Sequence, residues 1–199
     1  MKFILKGIKG AWYYVLGNLL ACFCYDRRYL KGRWFQGRAR GVCSPGWEWV
    51  VRDAMGRIFG RNNKKARFPV SQQCVVVEPQ NIEFDPEDLN NFQSFGIYYQ
   101  AIGKITIGKG TYIGPNTGII TANHDPADPE KHIEPKPVII GKNCWIGMNS
   151  TILPGAILGD GTVVGAGSVV TKSFPEGHCI IAGNPARMIK EISSTKDNK

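Results

Sequence analysis

Aliphatic side chains recur at every sixth residue through the C-terminal half of the chain. An α-helix repeats its apolar face about every 3.6 residues and a two-faced strand every second residue, so neither explains a period of six. A short extended segment followed by a tight corner does explain it, when the unit is repeated and stacked on itself. After one interruption the series resumes, and its nine members are Ile107, Ile113, Ile119, Ile140, Ile146, Ile152, Leu158, Val164 and Val170.

Two further positions of this six-residue unit are restricted. Glycine follows the aliphatic residue in six of the nine units, and a small residue stands four positions after it in seven. We expect the aliphatic side chain to point inward, the small side chain to fit beside it, and the glycine to supply the backbone freedom of the turn. Cys144 occupies the small position, so we expect it to fill a corner rather than to act as a nucleophile.

The interruption of the repeat locates a loop. Ile119 and Ile140 are 21 residues apart, which is three units plus three residues, so the stack cannot continue unbroken between them. Residues 123–138 contain four prolines and six charged residues, a composition unsuited to an interior strand. We predict that this loop protrudes from the stack, and it carries His124 and His132, two of the three histidines of the chain.

The first third of the chain contains two apolar segments with helical character. One is the run over residues 10–25, and the other is residues 47–59, whose apolar side chains recur at helical spacing. The first run has 16 residues, fewer than the ~20 that a membrane-spanning helix needs. No small-x-small cleavage site follows it, so we interpret it as a retained segment rather than a signal peptide.

Charge divides the chain into a basic head and a mildly acidic body. Residues 1–68 carry 15 basic and 3 acidic residues, a net charge of +12, whereas residues 69–199 carry 10 basic and 13 acidic residues, a net charge of −3. We therefore predict a basic, aromatic-rich helical segment over 1–68, a body over 69–192 and a polar tail over 193–199.

The basic head has two interpretations at this point. It forms amphipathic helices that pack on the body or on a neighbouring subunit, or residues 1–60 lie on an anionic membrane surface. Nucleic acid is not a predicted partner, because no recognisable nucleic-acid-binding module accompanies the charge.

Composition indicates a globular, turn-rich protein whose cysteines are reduced. Apolar residues make up 43% of the 199 residues, and glycine is abundant at 24 residues, which favours many turns over long helices. The six cysteines are irregularly spaced, which predicts a cytoplasmic setting and no metal site. A carbonic anhydrase built on such a repeat would need three histidine ligands on neighbouring units, and the three histidines lack that spacing.

Four motifs stand out in the chain beside the repeat. They are YYQAIGKI at 98–105, TANHDP at 121–126, IGKNCWIG at 140–147, and VVTK at 169–172 with AGNPAR at 182–187. Together they resemble the motifs of the hexapeptide-repeat acyltransferases, in particular the maltose, galactoside and polysaccharide O-acetyltransferases. The resemblance covers about half of the chain and implies an all-β fold, a left-handed parallel β-helix, behind the basic helical segment. It also implies a homotrimer with active sites between neighbouring subunits, and acetyl transfer from acetyl-CoA.

The same resemblance assigns the base and the acceptor contacts. Acyl transfer from a thioester to a hydroxyl needs a base that takes the hydroxyl proton, and neutral imidazole suits that task near pH 7. His124 stands at the position of the family's catalytic histidine, and His132 lies in mid-loop. Either Asp125 or Asp128 orients the ring, contacts the acceptor or caps the turn. The implied acceptor contacts are Tyr99, Gln100, Asn123 and Asp125.

On the donor side, the resemblance implies a set of contacts with the CoA arm and its phosphates. Lys190 replaces an arginine expected from the family, which keeps the charge and loses the bidentate fork. The implied contacts are Trp145, Met148, Ala166, Thr171, Lys172, Arg187 and Lys190.

These residues predict a CoA-dependent O-acetyltransferase that acts on a hydroxyl of a sugar or surface-glycan precursor, in the cytoplasm or at the inner face of the membrane. The alternatives are an antibiotic O-acetyltransferase of the chloramphenicol or streptogramin type, and a nucleotide-sugar N-acetyltransferase. The basic aromatic head favours a membrane-proximal glycan over a freely diffusing drug.

Overall fold

The computed structural model describes residues 2–36, 41–59 and 63–192, so the predicted tail at 193–199 lies outside the described residues. Helix α1 is Lys2–Cys24 and helix α2 is Pro45–Phe59. The strands within these residues are β1 (Val75–Val77), β2 (Ile82–Phe84), β3 (Tyr98–Gln100), β4 (Ile105–Ile107), β5 (Tyr112–Ile113), β6 (Gly118–Ile120), β7 (Val138–Ile140), β8 (Trp145–Ile146), β9 (Thr151–Ile152), β10 (Ile157–Leu158), β11 (Val163–Val164), β12 (Val169–Val170), β13 (Cys179–Gly183) and β14 (Ala186–Glu191).

The strands form three sheets, and from β3 to β12 the chain visits them in the repeated order A, B, C. Sheet A has the order β1-β3-β6-β9-β12, sheet B the order β2-β4-β7-β10, and sheet C the order β5-β8-β11-β13-β14. Pairing is parallel except between β13 and β14. Ile146 pairs with Val164 and Ile152 with Val170, so residues 18 apart, three six-residue units, lie above one another. One circuit through the three sheets is called a coil below.

The repeat positions behave as the sequence predicts. All nine aliphatic residues of the series are buried, and so are the seven small residues that follow at the fourth position. Cys144 is one of the seven, and its thiol lies 3.3 Å from the Gly159 carbonyl oxygen of the next coil. Burial raises the pKa of this thiol, which suits a corner filler and opposes a nucleophilic role.

The predicted role of glycine after the aliphatic residue is wrong. A Cβ on Gly108 would lie 2.5 Å from the backbone of Gly141, and a Cβ on Gly147 would lie 2.6 Å from the Ala166 nitrogen. These glycines therefore permit close stacking of coils rather than a turn. The left-handed backbone of the turn occurs two residues later, with φ between 53° and 83°, at Gly110, Asn116, Asn143, Asn149, Gly155, Gly161 and Gly167.

The two predicted helices are present and pack on each other. Helix α2 begins at Pro45 directly after Ser44, a sequence typical of a helix start. On α1, Gly17 approaches α2 so closely that a Cβ would lie 3.0 Å from the Trp47 ring, and the ring of Tyr14 lies 5.5 Å from that of Trp47. No described helix combines the length and apolarity needed to cross a membrane.

An aromatic cluster joins the head to the first coils of the body. It consists of Tyr29, Phe68, Phe84, Phe92 and Tyr99, whose neighbouring ring centroids are 4.5–5.3 Å apart. Such aromatic pairs contribute beyond the area they bury. The basic segment therefore packs on the body through the rings of Tyr29 and Phe68.

Candidate active site

The predicted loop is a short hairpin that leaves the stack at the turn from sheet A to sheet B, between β6 and β7. The Ile133 N–H donates to the Asn123 carbonyl and the Asp125 N–H donates to the Lys131 carbonyl, each at 2.9 Å. His124 and His132 face each other across this ladder, with ring centroids 4.3 Å apart. Both histidines therefore lie on the same face of an exposed hairpin held by the coil.

A backbone carbonyl orients the His124 ring. Nδ1 lies 2.6 Å from the Pro129 carbonyl oxygen. Because a carbonyl only accepts hydrogen bonds, Nδ1 of the neutral ring carries the proton and Nε2 keeps its lone pair. His124 is exposed, and Nε2 is then the ring atom that can take a proton from an acceptor.

The loop carboxylates shape the turn. Asp125 Oδ1 accepts the Ala127 N–H at 2.8 Å, and Asp128 Oδ1 accepts the Glu130 N–H at 3.3 Å. Asp128 also forms an ion pair with Lys131, 2.9 Å away. Of the roles left open by the sequence, the structure therefore favours turn capping. Within the described residues, no three His, Cys, Asp or Glu side chains converge as metal ligands.

The predicted acceptor residues occupy different environments. Asn123 is exposed at the base of the hairpin. Gln100 is half-buried, and its Oε1 accepts the Ala122 N–H at 3.1 Å, so it anchors the start of the loop.

The predicted acceptor contact of Tyr99 is wrong. Tyr99 is fully buried, and its hydroxyl donates to the Asn91 carbonyl, 3.2 Å away. Alternate residues of a strand face opposite sides, so its neighbour Tyr98 is the exposed tyrosine of β3. Burial raises the pKa of Tyr99 well above the ordinary tyrosine value, which keeps the hydroxyl protonated in the core.

Two predicted donor contacts lie on the same A-to-B turn as the loop, in a later coil. Thr171 and Lys172 directly follow β12 and are exposed. Lys172 Nζ lies 5.4 Å from the centroid of the Phe174 ring, so a cation stands on this edge.

Two other predicted donor contacts stack on the turn from sheet C to sheet A. Met148 follows β8 and Ala166 follows β11, and the Gly167 N–H donates to the Met148 carbonyl at 2.9 Å. Both side chains are exposed, and a Cβ on Gly167 would meet nothing within 4 Å. This edge offers apolar surface and approachable backbone.

The remaining donor candidates lie on sheet C. Trp145 on β8 is 60% exposed. In the strand register it lies opposite Tyr112 and Val163 of the adjacent strands. Lys190, exposed on β14, pairs with Ile180, and Arg187 is exposed on the same strand. The sequence interpretation missed Tyr112. This residue stands directly before Ile113, just as Trp145 stands directly before Ile146.

The predicted site residues are therefore spread over sheet C and two edges of the body. His124, Thr171 and Lys172 lie on the A-to-B turns, whereas Met148 and Ala166 lie on the C-to-A turns, with sheet A between them. A single chain does not bring the two groups to one edge.

Comparison with known proteins identifies the family. Residues 137–172 match the hexapeptide repeat of succinyl-transferase. The chain is 33% identical over 185 residues to Escherichia coli WbbJ, named for O-acetyl transfer in lipopolysaccharide biosynthesis, covering 77% of this chain and 91% of WbbJ. It is 40% identical over 111 residues to the galactoside O-acetyltransferase of Escherichia coli, covering 52% of each. It thus spans about half the length of that enzyme and of several other relatives.

A solved structure agrees with the sequence matches. The maltose O-acetyltransferase from Clostridium difficile 630 superposes with a TM-score of 0.52 at 35% identity, covering 62% of this chain and 66% of that one. The chain belongs to the hexapeptide-repeat acyltransferases, in the branch of the maltose, galactoside and polysaccharide O-acetyltransferases.

Proposed function

We propose that the protein transfers an acetyl group from acetyl-CoA to a hydroxyl of a sugar or surface-glycan precursor. The observation that carries the proposal is the His124 ring, whose Nδ1 is held by the Pro129 carbonyl so that Nε2 is free to act as a base. The names of WbbJ and of the galactoside and maltose enzymes support a sugar or glycan acceptor.

His124 moves the proton of the reaction. Acetyl-CoA supplies a thioester whose carbonyl carbon is open to attack. Nε2 of His124 takes the acceptor proton while the acceptor oxygen bonds to that carbon, and the carbon–sulfur bond then breaks. The imidazolium returns the proton to the sulfur, which leaves His124 neutral again. The Pro129 carbonyl accepts the Nδ1 hydrogen throughout and stabilises the charged ring.

The exposed edges fit the donor. Trp145 and Met148 offer apolar surface for the pantetheine arm, and the open space beside Gly167 lets a thin chain lie against backbone. Exposed Lys172, Arg187 and Lys190 supply positive charge for its phosphates, and Thr171 lies beside Lys172.

The division of the site between two edges supports a ring of identical subunits, and the family resemblance gives a homotrimer. In a ring of identical subunits each contact joins two different surfaces, so the A-to-B edge of one copy can meet the C-to-A edge of the next. The rotation through three sheets supports a solenoid, and the family resemblance gives the left-handed parallel β-helix. We also propose a cytoplasmic location, on the irregular spacing of the six cysteines in the sequence.

A thiol-release assay with acetyl-CoA tests the proposed function. The substrates are panels of sugars, oligosaccharides and chloramphenicol-type alcohols, and the matched variants are His124→Asn and His132→Asn. We expect turnover on a sugar or glycan, and a roughly 10²–10⁴-fold loss in His124→Asn with unchanged CoA affinity by calorimetry. Turnover with the drug alcohols alone would overturn the acceptor class. An active His124→Asn beside an inactive His132→Asn would overturn the assignment of the base.

A further inference from the structure

Helix α1 exposes an apolar stripe along its outer face. Its members are separated by four, three, four and four residues, which places them on one side of a helix. Their side chains are 54–78% exposed, and no charged residue occurs between positions 10 and 25. The α1 stripe consists of Ile8, Trp12, Val15, Leu19 and Phe23.

The inner face of α1 is already occupied. Gly17 and Ala21 are buried on that side, and Trp47 of α2 contacts it. Packing on α2 therefore explains the buried residues of the helix and leaves the α1 stripe without a partner among the residues that the structure describes. A stripe of this length on a soluble protein marks an interaction surface.

Cations surround the C-terminal end of the stripe. A groove of about 320 Å³ lies there between the two helices, with Phe23 and the exposed Ile58 among its apolar walls. Lys64 and Arg67 line the same groove and are exposed. Arg57 also lines it, but its guanidinium is bound to Asp53 at 2.7 Å. Apolar surface and free cations thus occur together.

Charge selects the occupant of this surface. A second copy would bring two heads of net charge +12 against each other, which opposes association. An anionic bilayer satisfies both features, because the stripe enters the headgroup and acyl boundary while the cations meet lipid phosphates.

We infer that the α1 stripe binds the surface of an anionic membrane, with α1 lying in its plane and Lys64 and Arg67 on lipid phosphates. Trp12 then lies at headgroup depth, where tryptophan is favoured. This interaction goes beyond acetyl transfer and does not depend on it, since it uses residues outside the candidate active site.

Sedimentation with vesicles tests the inference on the full chain. We expect the protein to sediment with mixed phosphatidylcholine and phosphatidylglycerol vesicles, to remain in solution with phosphatidylcholine alone, and to be released by high salt. The double variant Val15→Glu with Leu19→Glu should bind at least about 100-fold more weakly, because it removes apolar burial from the middle of the stripe and places two negative charges against the anionic lipids. Both side chains are exposed, so the fold should persist.

Two further variants separate charge from apolar contact. Gln73→Glu with Gln80→Glu adds the same two charges at exposed positions outside α1 and α2, and should bind within about fivefold of the unmodified protein. Lys64→Gln with Arg67→Gln should weaken binding by roughly fivefold for each cation lost. Circular dichroism verifies that each variant is folded.

Three outcomes would overturn the inference. The first is failure of the unmodified protein to bind the mixed vesicles, and the second is equal binding by the glutamate stripe variant. The third is a stripe variant of smaller mass by light scattering without lipid, which would show that the stripe covers a second copy. Thiol release measured without vesicles reports on the proposed acetyl transfer separately.

Discussion

At the scale of single residues, the sequence located the loop histidine but could not show what orients it. The repeat arithmetic placed His124 at the start of a protruding loop, and the structure agrees. The ring contact with the Pro129 carbonyl depends on how the hairpin closes, which no spacing reveals. For Tyr99 the sequence prediction failed. A motif identifies the position of a residue, but it leaves open which side of the strand is buried.

Asp53 is a second residue whose role depends on distant partners. Helical spacing places it off the apolar face of α2, yet it is buried. Its carboxylate accepts hydrogen bonds from the Tyr25 hydroxyl at 2.8 Å, the Val70 N–H at 3.1 Å and the Gln72 amide at 3.0 Å. It also pairs with Arg57, so it joins both helices to the segment that leads into the body.

We predict that Asp53→Ala lowers the free energy of unfolding by about 3–5 kcal/mol, because it leaves the partly buried Arg57 without its partner. Tyr25→Phe removes one donor and serves as the control, with an expected loss of about 1–2 kcal/mol. Urea unfolding followed by circular dichroism measures both. Equal stability of the two variants would show that the ion pair adds nothing beyond the tyrosine hydrogen bond.

At the scale of elements, the six-residue period predicted the regular strands of the body better than the strands that precede the regular series. Strands β1 to β3 are separated by irregular segments, including a 3-10 helix over Pro86–Phe92, and so lie outside the regular series. Asn91 in that helix donates to the Thr111 carbonyl at 2.8 Å and accepts the Ile113 N–H at 3.1 Å. Its amide thus takes the place of a neighbouring strand at the edge of sheet C. Asn91 and Thr111 are 20 residues apart, so no local sequence pattern contains this contact.

Two positions of the repeat lead to a prediction about stability. They are the glycine after the aliphatic residue and the left-handed residue two positions later. Gly147→Ala should destabilise the protein by about 3 kcal/mol, because the new Cβ meets the backbone of the next coil. Asn149→Ala should cost about 1–2 kcal/mol, because alanine is disfavoured at a φ of 58°. Asn149→Gly is the control and should leave stability nearly unchanged.

Chemical denaturation of the three variants measures these differences. A Gly147→Ala protein as stable as the unmodified chain would contradict the close-stacking role. An Asn149→Gly protein as unstable as Asn149→Ala would show that the asparagine side chain, rather than the left-handed backbone, is required.

At the scale of the whole molecule, the two proposals rest on separate parts of the chain, the body and the head. The body presents the predicted base on one edge and predicted donor contacts on another, while the head is fixed to the first coils by the aromatic cluster and directs its stripe outward. Charge follows the same division, with +12 on residues 1–68 and −3 on the remainder. The sequence predicted this division from charge alone, but only the packing of α1 on α2 distinguishes its inner face from its outer one.

The division of the site between two edges predicts that subunits complement each other. His124→Ala removes the base from the A-to-B edge, and Ala166→Trp blocks the exposed C-to-A edge, so either homotrimer should be nearly inactive. In a trimer that contains both variants, one contact in three joins an intact base to an intact donor edge, so we expect roughly a third of the activity of the unmodified enzyme. Thiol release from purified, doubly tagged trimers measures the recovery. Co-expression of two differently tagged His124→Ala chains is the control, and mixed trimers no more active than this control would place the whole site within one chain.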